Sequence, residues 1–318
     1  MGVTTLNLEN DFIKIQVSSV GKKKKRRTER RMKKKRKFDA FPYLLLLPVI
    51  VSSVLFNFYP FLKTIISSVA YTDTFGRWTG FAGGTFWKMM FENKEFWMIL
   101  WNTLKFAIAN FIGTFFMAML LALLSVKRTK LGKVYQMLYA LPVAMASAIS
   151  SVIWKSFFSQ NGILNSWLGT NISWMVDVDR SFWVVTIVTV WCHIAGSYIY
   201  LLAGFRGVSE DVQEAATVDG ANAFVRAIKI MIPMASPQIF FVLFVNIVNA
   251  IKTFTQIKLL TAGGPAKSTT TLMYDVYVRA IELGEFEYAC CLSIVLFVLI
   301  FLVTRIQFIL ENKFVHYE

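Results

Sequence analysis

The chain has 318 residues, of which 56% are hydrophobic and only 17% charged. A soluble domain carries about 25% charged residues, so an ordinary soluble enzyme is excluded. The net charge of +15 gathers at one end: residues 1–37 hold 14 basic and 3 acidic residues, whereas the remainder holds 20 and 16.

The three cysteines, Cys192, Cys290 and Cys291, lie in apolar runs, and His193 and His316 are the two histidines. Neither a disulfide framework nor a His-rich metal site is readable from these positions. The first apolar run starts near Phe41, later and longer than a cleavable signal peptide requires, so none is expected.

In chain order, residues 1–38 read as a basic tail whose composition predicts disorder. Residues 39–318 read as one transmembrane domain. Apolar stretches of about 20 residues fall near 43–69, 98–126, 134–157, 181–205, 236–260 and 288–310. Backbone groups in lipid must bond internally, so each is predicted to be a helix.

Six spans put both ends on one side. The tail from Lys22 to Lys37 holds 13 Lys/Arg and one acid, Glu29. Lys127, Arg128, Lys130 and Lys133 follow in the 127–133 loop, and Arg206, Arg226 and Lys229 in the 206–235 loop. The opposite loops are longer but poorer in positive charge. The positive-inside rule therefore predicts cytoplasmic termini. Trp78, Phe81, Trp87, Phe96 and Trp97 suit an interfacial aromatic belt. Nucleic-acid binding is the lesser reading of the tail, because like charge beside a first span sets orientation and lies against anionic lipid.

Polar groups at bilayer depth are the informative ones. In the fourth predicted span Thr186, Thr189, His193, Ser197 and Tyr200 fall within an arc of about 80°, with Gly196 beside them. In the fifth, Asn246, Asn249, Thr253 and Gln256 do the same, flanked by Lys252. These stripes admit two readings: hydrogen bonding between helices, or a polar solute path. Hydroxyl, amide and imidazole groups suit a neutral polyol or sugar. Lys105, in the second span, either snorkels or pairs with an anionic group.

The 206–235 loop reads as helix–turn–helix. Ser209 is placed as an N-cap, with Glu210 and Asp211 complementing the helix start. Asp219-Gly220 reads as a helix stop. A second helix is predicted from Ala221 to Ile230, ending before Pro233. The small residues Ala215, Ala216 and Gly220 leave room for a partner.

Glu214-Ala215-Ala216, three residues, Gly220, nine residues, then Ile230-Met231-Ile232-Pro233 resembles the EAA motif of the permeases of binding-protein-dependent ABC importers. Ile232 stands where that family has Leu. Tyr43-Leu44-Leu45-Leu46-Leu47-Pro48 with Tyr59-Pro60, and Leu141-Pro142, look like sugar permeases. Thr261-Ala262-Gly263-Gly264-Pro265 with Ser268 to Tyr274 resembles the outer loop of maltose- and glycerol-3-phosphate-type permeases. The resemblance covers roughly 40–318.

What the resemblance implies is an all-α polytopic membrane protein with six transmembrane helices, cytoplasmic termini and the type I ABC importer permease fold, in the bacterial cell membrane. The implied partners are a second homologous permease subunit, two ATP-binding subunits and an extracytoplasmic solute-binding protein, besides membrane lipids. No cofactor is expected on this chain; ATP and magnesium belong to the ATPase subunits, so it is not itself an enzyme. Glu214, Ala215, Ala216, Asp219, Gly220, Ile230 and Pro233 would couple to the ATPase. Thr189, His193 and Gly196 match solute-contacting positions of maltose-type permeases, as do Asn249, Ala250 and Thr253. With Ser197, Asn246 and Gln256 they form the expected substrate path. No catalytic or metal site is expected, and no G-x-x-x-x-G-K-[ST] occurs. Sugars or oligosaccharides are the leading cargo, with glycerol-3-phosphate or glycerophosphodiesters as the alternative. A stand-alone channel or secondary carrier is more distant, because the predicted spans lack midplane acids for ion coupling.

Overall fold

The computed structural model describes residues 41–73, 77–127 and 130–314. The basic tail expected over 1–38 lies outside the described residues. Among the described residues, five helices are long and apolar enough to cross a membrane, and a sixth span exists if one sharply bent helix pair counts as one. The described residues are helical apart from one short hairpin and connecting loops, in keeping with the all-α expectation.

The chain divides into two compact units, Met1–Phe61 and Leu62–Glu318. In the first, α1 (Phe41–Ser53) passes through a π-helical turn, Val54–Phe58. α2 (Tyr59–Ser67) then completes the span Leu44–Ser67. The π turn ends two residues before Pro60, and the Tyr59 amide after it bonds to the Val54 carbonyl. A proline ring clashes with the carbonyl four residues back, and a wider turn relieves that crowding.

In the second unit, β1 (Ala70–Thr72) and β2 (Trp78–Phe81) form an antiparallel hairpin that the sequence did not disclose. α3 (Thr85–Glu92) leads to α4 (Lys94–Leu124), which Asn93 caps by accepting from the Glu95 amide. α5 (Lys130–Ala144) and α6 (Ser147–Phe157) replace the straight third span expected over 134–157 and meet at 104°. Pro142 removes one backbone donor near the end of α5, and Ala146 is extended, so the helix cannot run on. α7 (Ile163–Leu168) ends at Gly169, whose φ is +63°. α8 (Val178–Gly207) is capped by the Asp177 carboxylate, which accepts from the Asp179 and Arg180 amides.

The loop 206–235 folds as α9 (Glu210–Val218) and a second helix starting at Ala223. Ser209 holds the N-cap position as expected, without a side-chain cap bond. The second helix does not stop before Pro233. It widens into a π turn at Ala227–Met231 and continues to Met234. There the Ile232 amide bonds to the Ala227 carbonyl, the same accommodation seen before Pro60.

α10 (Ser236–Ile251) and α11 (Thr255–Leu260) form the next span, broken at 252–254. The segment 261–287, expected as a loop, contains α12 (Leu272–Tyr277), a π turn at Val278–Glu282 and the first two residues of the next helix. α13 (Phe286–Phe314) ends the described chain.

The bundle is held by close approach of α4, α8 and α10. A Cβ on Gly113 of α4 would lie 2.8 Å from Val190 Cγ2 of α8, and one on Gly204 of α8 would lie 2.8 Å from Gln238 Cβ of α10. Ala118 and Ala122 on α4 are fully buried against Tyr198, Leu201 and Phe205 on α8. In hydrocarbon there is no hydrophobic drive between helices, so close packing supplies the attraction.

The end opposite the 206–235 loop is held by charge. Arg279 lies 2.6 Å from Glu285, 3.3 Å from Glu95 and 3.7 Å from Asp275, and its guanidinium covers the Tyr288 ring at 4.6 Å. Lys267 also pairs with Glu95. Burial raises the Asp275 carboxyl above its ordinary value, and Arg279 beside it pulls it back down.

Two consequences are measurable. Gly113→Leu overpacks the α4–α8 contact and should cost about 1–3 kcal/mol. Thermal unfolding in detergent will show it as a lowered midpoint, partly restored by Val190→Ala; an unchanged midpoint refutes the close approach. Arg279→Leu strands Asp275 and should cost about 3 kcal/mol. The folded Asp275 binds its proton more tightly than the unfolded one, so its contribution is complete below the unfolded value and is lost as pH rises through the folded one. The deficit of Arg279→Leu should therefore shrink as pH is lowered, and a pH-independent deficit contradicts this assignment.

Candidate functional site

A cavity of about 250 Å³ lies between α8 and α10. Cys192, His193, Gly196, Ser197 and Tyr200 line it from α8, and Val242, Val245, Asn246 and Asn249 from α10. Val143 closes it from α5, three residues before the α5–α6 bend. Every polar group among these residues is a hydroxyl, amide, imidazole or thiol; no carboxylate, Lys or Arg is present.

Its best-defined element is one hydrogen bond. Ser197 Oγ donates to Asn246 Oδ1 at 2.7 Å, and both side chains are buried. This fixes the amide and leaves Asn246 Nδ2 with no protein partner. A buried unpaired donor is costly. Gly196 faces open space, since an added Cβ would meet nothing within 4 Å. Tyr200 packs edge-on against Phe241 at 5.1 Å, which holds its ring at the cavity rim.

Five of the eight residues expected on the substrate path thus meet here: His193, Gly196, Ser197, Asn246 and Asn249. Three do not. Thr189 is buried and bonds back to the Val185 carbonyl at 2.7 Å. α11 covers this part of α8, with Ile257 and Leu260 packed in one cluster with Val185 and Val188. Thr253 Oγ1 bonds to the Asn249 carbonyl at 3.0 Å. Gln256 is buried against the Cys192 thiol. The helical-wheel arc for these last two fails because the helix breaks at 252–254, so one angular step per residue does not carry across. Ala250 is buried in another cluster, and the side chains of Lys105 and Lys252 are exposed. Cys192, Val143, Val242 and Val245 line the cavity without a sequence signal beyond their neighbours.

The second element is the loop. Glu214, Ala215, Asp219 and Gly220 are exposed and Ala216 is buried. Gly220 has φ +83°, a conformation that β-branched residues rarely adopt. The Ala221 amide bonds to the Ala216 carbonyl at 2.9 Å and closes the helix end. Ile230 is half-buried in the π turn, and Pro233 is exposed. A cleft of about 320 Å³ opens beside α9, lined by Glu210, Gln213, Glu214 and Thr217 with Lys127, Arg206 and Arg226. Arg206 anchors this face, donating to the Ser125 carbonyl at the end of α4 at 3.0 Å. Arg226 bonds to Thr217 Oγ1 and ties the second helix to α9. Among the described residues no group of three or more His, Cys, Asp or Glu could hold a metal ion.

The family model for the inner-membrane component of binding-protein-dependent transport systems matches residues 38–316. The sn-glycerol-3-phosphate transport system permease protein UgpA of Pectobacterium atrosepticum is 31% identical over 284 residues, covering 87% of this chain and 96% of that protein. UgpA of Salmonella typhi is 30% identical over 283 residues at the same coverages. A bacterial alginate ABC transporter, solved with an alginate pentasaccharide-bound periplasmic protein, has a chain that superposes with a TM-score of 0.78 at 20% identity. That match covers 87% of this chain and 96% of the other, and it shows the shared fold. The MetNI methionine ABC transporter matches 70% of this chain at a TM-score of 0.53 and 15% identity. The chain therefore belongs to the inner-membrane components of binding-protein-dependent transport systems, as a multi-pass ABC permease subunit of the bacterial inner membrane and not an enzyme.

Proposed function

We propose that this chain forms half of the solute path of an ATP-driven importer of sugars or oligosaccharides. The observation that carries the reading is the uncharged polar lining of the α8–α10 cavity, with one amide donor held ready by Ser197. A neutral polyol offers hydroxyl oxygens to such a donor and apolar ring faces to Tyr200. An organophosphate would call for a cation, and none lines the cavity. The second reading, glycerol-3-phosphate or a glycerophosphodiester, is favoured by the relatives at 30–31% identity, which are sn-glycerol-3-phosphate permeases.

In this proposal a second, homologous permease completes the path. Two ATPase subunits bind ATP and magnesium and seat on α9 through Glu214, Ala215, Ala216, Asp219 and Gly220, supported by Ile230 and Pro233. An extracytoplasmic binding protein delivers solute at the opposite end. The termini and the 206–235 loop lie in the cytoplasm, in keeping with the 13 Lys/Arg between Lys22 and Lys37 and with Arg206, Arg226 and Lys229 in the loop. ATP binding draws the α9 face toward its partner and moves α8 and α10 together, which opens and closes the cavity to alternate sides.

Two experiments test it with the complete transporter in proteoliposomes. Gly220→Val and Glu214→Arg should leave membrane insertion intact and lower uptake at least about tenfold, because the first strains a φ > 0 turn and the second reverses a docking charge. Normal uptake in both variants removes the coupling assignment. Asn246→Leu and Asn249→Leu should lower solute-stimulated ATP turnover while ATPase subunits still co-purify. If neither changes turnover, the stripe only glues helices. A panel of neutral sugars against sn-glycerol-3-phosphate separates the two cargo readings.

A further inference from the structure

α11 carries one cation near the end of its span. Lys258 stands two residues before Leu260, where the span Ser236–Leu260 ends away from the 206–235 loop. Unlike the side chains of Lys105 and Lys252, which are exposed, it is half-buried. A lysine that only snorkels extends its ammonium into water. Here the ammonium turns onto aromatic rings instead. Lys258 Nζ donates to Tyr277 Oη at 2.6 Å, and it lies 3.9 Å from the centre of the Tyr277 ring and 5.6 Å from that of Phe254. Phe254 meets Tyr277 edge-on at 5.0 Å, and Tyr274 stacks on Tyr277 at 6.4 Å. Tyr274 is buried in one cluster with Val185 and Val188 of α8, so the core holds these rings in place.

The charge balance at this point is incomplete. The other two cations between residues 258 and 287 are paired: Lys267 with Glu95, and Arg279 with Glu95, Asp275 and Glu285. Among the described residues Lys258 forms no ion pair with a carboxylate. An ammonium has three N–H donors, and Tyr277 takes one of them. The phenol, accepting from Lys258, keeps its own proton to donate. Two N–H groups and one O–H therefore have no protein acceptor among the described residues. Such a set suits the oxygens of an anion, because hydrogen bonds to an ionised acceptor are the strong ones.

We propose that Lys258 and Tyr277, walled by Phe254 and Tyr274, form an anion subsite that takes the carboxylate or phosphate of a sugar or polyol at this end of the path. The proposal rests on the importer reading and deepens it. Asn249 lies nine residues earlier in the same span, about 14 Å away by helical rise. A solute entering from this end meets the cation first, and the uncharged amides and hydroxyls of the cavity further in. The cavity itself holds no cation, and the subsite supplies one outside it.

The test uses the complete transporter in nanodiscs with two pairs of probes. One pair is sn-glycerol-3-phosphate and glycerol; the other is a uronic-acid trisaccharide and its neutral counterpart. Acetylation of Lys258 by a water-soluble reagent, read by mass spectrometry, should slow at least about fivefold with an anionic probe and not with its neutral partner. The two pairs separate phosphate from carboxylate. No protection by either anion overturns the proposal, and so does equal protection by the neutral partner. In proteoliposomes with one binding protein throughout, the uptake preference for the protecting anion over its neutral partner should fall about tenfold in Lys258→Met and about threefold in Tyr277→Phe. Lys258→Arg should keep most of it. A preference unchanged in Lys258→Met, or lost as fully in Lys258→Arg, overturns the assignment. Protection without ATP-dependent uptake upholds the subsite and removes the importer reading; ATP-dependent uptake without protection does the reverse.

Discussion

Hydrocarbon offers no hydrogen bonds, so every backbone N–H and C=O of this chain at bilayer depth must find a partner within the protein. That constraint makes the spans helical and also governs where they break. At the break after α10, the Thr253 amide turns to the Ala250 carbonyl at 3.4 Å, and the Thr253 hydroxyl takes up the Asn249 carbonyl at 3.0 Å. Before Pro60 and Pro233 the backbone solves the same problem with a π turn, which keeps its bonds while making room for the ring. The α5–α6 bend and the α10–α11 break lie near Val143 and Asn249, which line the cavity. Irregular backbone at depth is tolerated where it borders such a space.

The middle of the bundle and one of its ends use different chemistry for the same task. In the middle, glycine and alanine let α4, α8 and α10 approach closely, and dispersion across that contact holds them. At the end away from the 206–235 loop, the segment 261–285 is tied by ions and hydroxyls. Thr269 and Thr270 bond to the carbonyls of Gly264 and Gly263, and Thr103 accepts from the Leu272 amide. Gly263 has φ +79°, and a Cβ there would lie 2.4 Å from Thr270 Oγ1, so glycine is the residue this turn admits. Arg279 then joins α12, α13 and the start of α4 through Asp275, Glu285 and Glu95.

The cavity and the loop are mechanically one object. Ser197 stands ten residues before the end of α8, and Asn246 ten residues after the start of α10. The loop connecting those helix ends is itself helical and cross-bonded, with Arg226 held to Thr217 and Arg206 held to Ser125. A load on α9 therefore reaches both walls of the cavity through about 15 Å of helix on each side.

Six apolar segments, their basic flanks, the EAA spacing and the two polar stripes were legible in the sequence because each depends on local order: hydropathy, charge or residue identity at fixed intervals. That His193, Gly196 and Ser197 share one face, and Asn246 and Asn249 another, was legible this way, since within one unbroken helix the angular step is constant, and the structure brings all five to one cavity. Thr189, Thr253 and Gln256 share the stripes but do not line the cavity, because whether a stripe faces a cavity depends on what packs over it and on where the helix breaks. The 104° bend, the α10–α11 break, the hairpin 70–81 and the Arg279 cluster are decided only by tertiary structure. They arise where residues far apart in the chain compete for the same space or the same hydrogen bond, and no local pattern records that competition.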